Sequence, residues 1–382
     1  MKKLLLGIAL TLAAGNSFAG DELTMTPSTV SLKPGETAEV TVVLNAAEVD
    51  TYSALQVVIA MPEGVEPVCI NPEEVEEGED PIYLSLELPS TTSRTQRNAW
   101  EGGTNAIFYP KGTEFYDDKT KELERISEKN ELHVVFMTTK AYTFPKSVEE
   151  PEPLFTFEVK ATDRTYTEAS TIDLTRTRFF VVATQQSAPI ADKEAIDFTY
   201  TIPYTIGASG YGTLCWPVAL DFTSNAFTAG IGKVSGVNMK QDPKTQVPAN
   251  TPVIIVGEPG DYTLSTTRDE VAEITDNDLE GTVDEPLKVT TSNIFVLATK
   301  NEGTGFYRCD ASAGVVIPQY KAYYTGTPGT AADSFLFEET TGISQVEAAE
   351  SVADTYTLTG VKVNKANKKG VYIVNGKKVV VK

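Results

Sequence analysis

Short segments with alternating apolar and polar residues recur along the chain, separated by turns that contain Pro or Gly. The clearest are residues 38–44, which follow the turn 33–36, and residues 53–60, which precede the turn 62–64. Alternation with a period of two places one set of side chains on a core and the other in solvent, as in a half-buried strand. Further segments of this kind are residues 82–88, 132–138, 154–160 and 178–183. The spacing predicts a mainly β fold of the β-sandwich type, and only residues 119–130 favour a helix.

The N-terminus has the composition of a secretory signal. Lys2 and Lys3 precede an apolar run at residues 4–14, and residues 17–19 read Ser-Phe-Ala, a small-x-small cleavage site. The run is too short to span a bilayer. We therefore predict a signal peptide at residues 1–19, export through the Sec pathway, and an extracellular or outer-surface location without an integral membrane segment.

The chain is long and strongly acidic. It has 382 residues, so the exported part is too long for one ordinary domain. Its formal charge is −21 at pH 7. A surface of this sign repels nucleic acid and anionic lipid, which excludes nucleic acid as a partner. Attraction of cations or basic partners remains an alternative to a role in solubility.

The three cysteines, Cys69, Cys215 and Cys309, allow at most one intramolecular disulfide. Cys215 and Cys309 fall in the same inferred domain, so they form the more plausible pair. The alternative is three buried thiols that behave as small apolar groups. Their irregular spacing indicates no metal site.

Residues 23–68 resemble a cohesin-type module, a β-sandwich shared with several carbohydrate-binding families. The resemblance is carried by residues 30–36 (VSLKPGE), 40–44 and 55–60, and residues 154–160 (LFTFEVK) look like the penultimate strand of that fold. It implies a sandwich over residues 20–205, in which residues 71–81 and 90–129 look like insertions.

A second unit at residues 206–340 resembles a β domain that recurs in large surface proteins of the Bacteroidetes. The residues that carry this resemblance are 247–255 (VPANTPVII) and the aromatic end at 320–324 (YKAYY). The resemblance implies an accessory module. Residues 341–355 are small and polar, as in a linker.

The last segment, residues 356–382, is basic and reads as a β-hairpin. From residue 361 it contains seven lysines and no acid, and Asn375-Gly376 is the favoured sequence of a two-residue hairpin turn. The segment resembles the C-terminal sorting signal of the type IX secretion system in its short Bacteroidales form, which implies the secretion machinery as a partner. The residues that carry the sorting-signal resemblance are Gly370, Tyr372, Asn375, Gly376, Lys377, Lys378 and Lys382.

No catalytic or metal-binding constellation stands out. The single histidine, His133, lies within a predicted strand and is expected to pack there. Asp276–Gly281 begins like a calcium loop, but Leu287 stands where the bidentate carboxylate is needed. The acidic run 73–80 is expected to be a solvated loop. We predict no cofactor, no metal and no catalytic residue.

Aromatic residues of the inserted region are the candidate binding residues, because rings stack on sugar faces and on apolar groups of proteins. They are Trp100, Tyr109, Phe115 and Tyr116. The leading hypothesis is a non-catalytic binding protein that recognises a glycan or a surface protein through the sandwich, with Trp100 exposed near the centre of the site. The alternatives are an adhesion or structural protein whose domains are spacers, in which those rings are buried, and a glycoside hydrolase with paired carboxylates.

Overall fold

The computed structural model describes residues 22–45, 52–88, 92–137, 153–181, 186–189, 195–327, 329 and 331–337, together with four strands within residues 355–381. Residues up to Phe337 form one compact unit, and residues from Glu338 onward form another. The signal peptide and nearly all of the expected linker lie outside the described residues, so both stay predictions.

The first part of the chain folds as the predicted β-sandwich. Its elements are β1 (Glu22–Pro27), β2 (Ser31–Leu32), β3 (Thr37–Asn45), β4 (Tyr52–Met61), β5 (Val65–Pro67), α1 (Pro72–Glu76), β6 (Ser85–Leu86), α2 (Arg94–Glu101), β7 (Asn105–Tyr109), β8 (Glu114–Tyr116), β9 (Leu123–Ile126), β10 (Asn130–Met137), β11 (Pro153–Ala161), β12 (Ser170–Val181), β13 (Gln186–Pro189) and β14 (Ala195–Tyr200).

Two sheets face each other across the core. The smaller sheet has the order β1-β3-β11-β5, with β6 also paired to β11. The larger sheet has the order β2-β14-β12-β4-β10-β7, with β13 also paired to β12. Among the described strands, β8 and β9 pair only with each other and form a separate hairpin.

The core lies between these sheets and follows from the alternation in the sequence. Val40 and Val42 of β3 are fully buried, as are Val57 and Ile59 of β4. Each pair is spaced by two residues, so its side chains lie on the same face of the strand. The mainly β sandwich is therefore confirmed.

A second all-β region follows directly. Its strands are β15 (Ile202–Ile206), β16 (Tyr211–Leu214), β17 (Leu220–Asp221), β18 (Thr228–Ser235), β19 (Asn238–Lys244), β20 (Gln246–Val247), β21 (Val253–Val256), β22 (Gly260–Thr266), β23 (Leu279–Gly281), β24 (Leu287–Lys288), β25 (Ile294–Lys300), β26 (Gly303–Arg308), β27 (Val316–Ile317), β28 (Ala322–Thr325) and β29 (Ser334–Phe337), with a 3-10 turn at Ala311–Ala313. Its main sheet has the order β16-β21-β18-β19-β29-β26-β25-β28-β23. The expected all-β character is confirmed, while the boundary at 205/206 stays a prediction.

The sandwich and the second region pack against each other. One apolar cluster runs from Leu23 in β1 to Leu264 in β22 without interruption. Thr167 and Thr266 exchange backbone-to-side-chain hydrogen bonds of 2.8 and 2.9 Å across the junction. The Tyr320 hydroxyl donates to the carboxylate of Asp163 at 2.9 Å. The second region is therefore built onto the sandwich rather than tethered to it.

The C-terminal unit is a small antiparallel sheet. Its strands are β30 (Thr355–Thr357), β31 (Lys362–Val363), β32 (Gly370–Val374) and β33 (Lys377–Val381), in the order β31-β30-β32-β33. Val374 pairs with Lys377, so a two-residue connection joins β32 to β33. The predicted C-terminal hairpin is confirmed. Asn375, Gly376 and Lys382 themselves lie outside the described residues.

The local prediction at residues 119–130 is wrong. This charged segment contains β9 and the start of β10 instead of a helix, because β9 pairs with β8. The helix of this region is α2, whose capping box joins Ser93 and Gln96. That box has a sequence signature, Ser-x-x-Gln, which marks a helix start.

Candidate functional site

The site is built on strand β10, whose two faces have different chemistry. Leu132, Val134 and Phe136 point into the core and are fully buried. Glu131 and His133 lie on the opposite face, because successive side chains of a strand alternate. His133 pairs there with Val58 of β4 and Ile107 of β7, so it lies on the outer surface of the larger sheet, one strand in from the β7 edge.

The β8–β9 hairpin covers this outer surface. The ring of Phe115 stacks on His133 with centroids 5.4 Å apart and planes 3° from parallel. Tyr109 packs against both rings, at 5.0 Å from Phe115 and 4.6 Å from His133. The guanidinium of Arg125 lies 3.7 Å above the Phe115 ring, a cation–π arrangement. The hairpin therefore forms a third layer, and its inner face packs against the larger sheet.

A buried carboxylate completes this attachment. Glu131, whose side chain is 6% exposed, accepts two hydrogen bonds from Arg125 at 2.9 and 2.7 Å. It also contacts Arg176 at 2.9 Å and Nε2 of His133 at 2.7 Å. Burial disfavours its charge, but these hydrogen bonds outweigh burial and lower the pKa of Glu131 to about 2. The carboxylate is ionised at neutral pH and is held by its partners.

For His133, in contrast to Glu131, the effect of burial on the pKa outweighs the effect of the hydrogen bond. Burial lowers the pKa of His133, and its hydrogen bond to Glu131 acts in the other direction without restoring the ordinary value. Arg125 and Arg176 also oppose a positive charge on the ring. His133 is therefore a packed, neutral histidine near neutral pH, as expected from its place in a strand.

Arg176 reaches Glu131 because of a bulge in β12. The register between β12 and β4 shifts between Thr175 and Arg178. Arg176 has a φ of 51°, in the left-handed region that side chains other than Gly rarely adopt. Bulges commonly re-aim a side chain. Here the bulge accompanies the ion pair between Arg176 of β12 and Glu131 of β10.

The outward face of the hairpin is apolar and exposed. Tyr116 and Ile126 are adjacent to the inward-facing Phe115 and Arg125, and a register shift between Phe115 and Tyr116 brings Leu123 opposite Tyr116. Tyr116, Leu123 and Ile126 are 51%, 49% and 51% exposed. Tyr116 pairs across the hairpin with Leu123, and Ile126 pairs with Glu114. We call Tyr116, Leu123 and Ile126 the hairpin face. Large apolar side chains that lie together in solvent mark interaction sites more often than scattered ones do.

The structure separates the four predicted aromatic residues. The expectation of an exposed Trp100 is wrong: its side chain is 1% exposed and stacks on Phe136 with centroids 4.7 Å apart. The helix α2 places this ring in the core. Tyr109 and Phe115 are half-buried between the hairpin and the larger sheet, and only Tyr116 of the four is exposed.

Sequence reasoning missed most of the site. Glu131, Arg125 and Arg176 were not singled out, and neither were Leu123 and Ile126. The alternation of Glu131 and His133 with buried residues was a usable signal for a polar cluster on one face of β10. The hairpin face was not predicted, because the segment that contains Leu123 and Ile126 was expected to be helical.

The other sequence candidates have structural roles. In the calcium-like loop, Asp276 pairs with Lys233 at 2.5 Å, and Asp278 accepts from the backbone N–H of Val234 at 2.7 Å. Asn277 accepts from Gly232 at 3.1 Å, which ties the turn to β18. Among the described residues, no group of three or more His, Cys, Asp or Glu side chains is placed to hold a metal.

The expected bond between Cys215 and Cys309 is not formed. All three cysteines are free thiols, and Cys215 and Cys309 are buried. Burial raises the pKa of Cys215 to about 12 and also raises that of Cys309. Both sulfurs therefore behave as small apolar groups, which is the alternative left open by the sequence.

Comparisons with known proteins return solved structures of cohesins. A type II cohesin module from an adaptor scaffoldin of Acetivibrio cellulolyticus is 16% identical, with 47% of this chain and 97% of that chain covered and a TM-score of 0.27. A non-cellulosomal cohesin from Archaeoglobus fulgidus is 13% identical, with 47% and 91% covered and a TM-score of 0.25. Another, from Acetivibrio cellulolyticus, is a cohesin in complex with a dockerin; it is 11% identical, with 47% and 99% covered and a TM-score of 0.27.

Likenesses at these identities and TM-scores transfer no partner and no site to this chain. No family model matches the sequence. No curated protein matches it either. Within the described part of the chain, no helix has both the length and the apolar character to cross a bilayer.

Proposed function

We propose that this chain is an exported, non-catalytic binding protein that contacts a protein partner through the hairpin face. The observation that carries the proposal is that the β8–β9 hairpin exposes an apolar outer face while its inner face is bound to the larger sheet. Tyr116, Leu123 and Ile126 are each about half exposed, while Phe115 and Arg125 anchor the same hairpin to Glu131 and His133. A surface that is already ordered loses little entropy on binding.

A protein partner fits this face better than a glycan. Sugar recognition favours several exposed rings, and of the predicted rings only Tyr116 is exposed. Its hydroxyl donates to the carboxylate of the neighbouring Glu114. Aliphatic side chains such as Leu123 and Ile126 match an apolar protein surface. A glycan partner therefore becomes an outcome of the test.

The spacer role remains a second candidate, and one observation favours it. The sandwich and the second region share a continuous core, which suits a stiff structural element. Glu131 offers the hydrolase alternative no free carboxylate, because it is already bonded to Arg125, Arg176 and His133.

The function is tested by capture with the full exported chain carrying Leu123→Asp and Ile126→Asp. The control is Val237→Asp, a substitution at the β18–β19 turn, where Val237 is 66% exposed. We expect a captured surface protein to bind the natural chain and the control, and to lose measurable affinity for the double variant. Purified partner and chain then give the dissociation constants.

A parallel glycan array separates the alternatives. If the chain binds a glycan on the array and Tyr116→Ala abolishes this binding, the partner of the hairpin face is a glycan and not a protein. Protein binding that is unchanged in the double variant would remove the hairpin face as the site. Absence of both protein and glycan binding would favour the spacer role.

Export by a type IX pathway is part of the proposal and rests on the basic C-terminal hairpin. The paired strands β32 and β33 contain Gly370, Tyr372, Lys377 and Lys378. Removing residues 356–382 is expected to leave the protein in the periplasm, and its fractionation in a type IX-competent host measures this. Unchanged secretion would contradict a sorting role.

A further inference from the structure

The charges around the hairpin face are unbalanced. Glu114 on β8 and Glu124 on β9 are exposed, and so is Glu122 just before β9. Within the part of the chain that the structure describes, none of these carboxylates forms an ion pair. Among the described residues, the Glu114 carboxylate accepts its one side-chain hydrogen bond from the Tyr116 hydroxyl. The hairpin face is therefore bordered by exposed carboxylates without an ion-pair partner among the described residues.

Nearby cations do not neutralise this border. Arg125 points inward to Glu131. Lys111 binds Glu63 at 2.8 Å, and Lys129 binds Asp173 at 2.6 Å, so both are bound to acids outside the hairpin. Lys119 and Lys121 lie in the turn between the strands, next to Asp117 and Asp118. Residues 114–126 contain five acids and three bases, so the hairpin has an excess of negative charge.

A partner that covers the hairpin face must also compensate the charge of these carboxylates. A bound apolar surface excludes water from Glu114 and Glu124, and a desolvated carboxylate is costly unless a cation pairs with it. The hairpin face of a second copy presents the same anionic border, so direct pairing of two hairpin faces is opposed. These conditions select for a partner of opposite sign.

We propose that the occupant of the hairpin face is a cationic segment of another protein, in which apolar side chains alternate with Lys or Arg. The apolar side chains contact Tyr116, Leu123 and Ile126, and the cations pair with Glu114, Glu122 and Glu124. This inference rests on the proposed function and adds the chemistry of its partner.

The test uses three labelled synthetic peptides and the full exported chain. All three peptides share the same alternating Ile, Val and Tyr positions, and the remaining positions are Lys, Gln or Glu. Fluorescence anisotropy gives each dissociation constant at low and at high salt. We expect the Lys peptide to bind most tightly, about tenfold more tightly than the Gln peptide, and to weaken as salt rises.

Matched variants locate the effect. Glu114→Gln with Glu124→Gln is expected to weaken binding of the Lys peptide about tenfold. Glu73→Gln with Glu76→Gln removes the same charge from α1, which follows β5 and precedes β6 of the smaller sheet in the sequence, and is expected to leave the affinity unchanged. Equal weakening by both pairs would show a general attraction to an acidic protein and would overturn the inference.

The remaining outcomes separate the inference from the proposed function. Equal binding of the Lys and Gln peptides, with loss on Leu123→Asp and Ile126→Asp, would keep the binding face and overturn its cationic partner. Lys-peptide binding that survives Leu123→Asp and Ile126→Asp would overturn both. Absence of binding by all three peptides would overturn the cationic partner, and the capture experiment would still decide whether the hairpin face binds a protein.

Discussion

The two faces of strand β10 hold the molecule together by different means. On the inner face, Leu132, Val134 and Phe136 are fully buried among apolar side chains from both sheets. On the outer face, Glu131 and His133 bind a single added element, the β8–β9 hairpin, through ion pairs and ring stacking. The inner face holds the sandwich, and the outer face attaches the binding element.

This difference predicts that the two faces respond to different perturbations. Apolar burial depends little on pH or salt, whereas an ion-paired cluster responds to both. Damage to the inner face is expected to unfold the sandwich. Damage to the outer face is expected to release the hairpin while the sandwich remains folded.

The largest effect is expected from Phe136→Ala on the inner face. The ring is fully buried and stacks on Trp100, so its removal leaves a cavity that costs roughly 3–5 kcal/mol of unfolding free energy. Urea denaturation followed by tryptophan fluorescence measures the loss. Phe180→Ala, at a ring that is 37% exposed, is the control and should cost far less. Similar losses for both variants would contradict the inner-face assignment.

Glu131→Gln should have the next largest effect, and it should be local. The substitution removes the charge that Arg125 and Arg176 bind, at a cost of about 2 kcal/mol. Hydrogen exchange is expected to quicken in β8 and β9 and to change little in β3 and β4. Glu124→Gln on the same hairpin is the exposed control. Uniformly faster exchange across the sandwich would show that the bonds of Glu131 stabilise the whole sandwich and not the hairpin alone.

The same carboxylate predicts an acid response. Because the pKa of Glu131 is lowered from 4.5 to about 2, its stabilising contribution is present above pH 4.5 and is lost as pH falls through about 2. Glu131→Gln should therefore flatten this part of the pH–stability curve. An unchanged curve would mean that other carboxylates control the acid transition.

Phe115→Ala is expected to loosen the hairpin by about 1 kcal/mol, since it removes the ring stacked on His133. Its neighbour Tyr116 faces solvent, so Tyr116→Ala is a control of similar size with an expected change within about 0.5 kcal/mol. Limited proteolysis of the β8–β9 turn compares the two. Equal cleavage of both variants would show that the inner face of the hairpin does not fasten it.

The smallest effect concerns the protonation of His133. Burial lowers its pKa below 6.5 in the folded protein, so the cluster loses stability as pH falls from about 6.5 toward the folded pKa. The chain has one histidine, and its NMR titration is therefore free of overlap. We expect a midpoint below 6.5 that moves toward the ordinary value in Phe115→Ala. A midpoint above 6.5 would mean that Glu131 outweighs burial.

The sequence predicts the inner face better than the outer one, for a physical reason. Alternation along residues 53–60 and 154–160 specifies which side chains are buried, and β4 and β11 form there. The capping box at Ser93 was also readable, although its helix was missed. The Asn-Gly sequence at residues 375–376 predicted the C-terminal hairpin, whose strands β32 and β33 pair as expected, because turn sequence and strand pairing are local properties.

The outer cluster depends on long-range register, which no local pattern encodes. Glu131 meets Arg125 and Arg176 only because β9 folds back over β10 and β12 bulges at Arg176. Trp100 was misassigned since an aromatic ring in an inserted region suits both a binding loop and a buried helix. Its burial depends on the inward face of α2, which the sequence did not reveal.

The continuous core between the sandwich and the second region has a consequence for how the protein melts. Leu23 and Leu264 belong to one apolar cluster, and Thr167 is hydrogen-bonded to Thr266 across the junction. Two regions joined in this way lose their mutual contacts together, so residues 22–337 are expected to unfold in one cooperative transition rather than in two. Cleavage of the chain near residue 205 would uncover apolar side chains such as Ile202 and Tyr204, and the fragments would aggregate where separate domains would remain soluble.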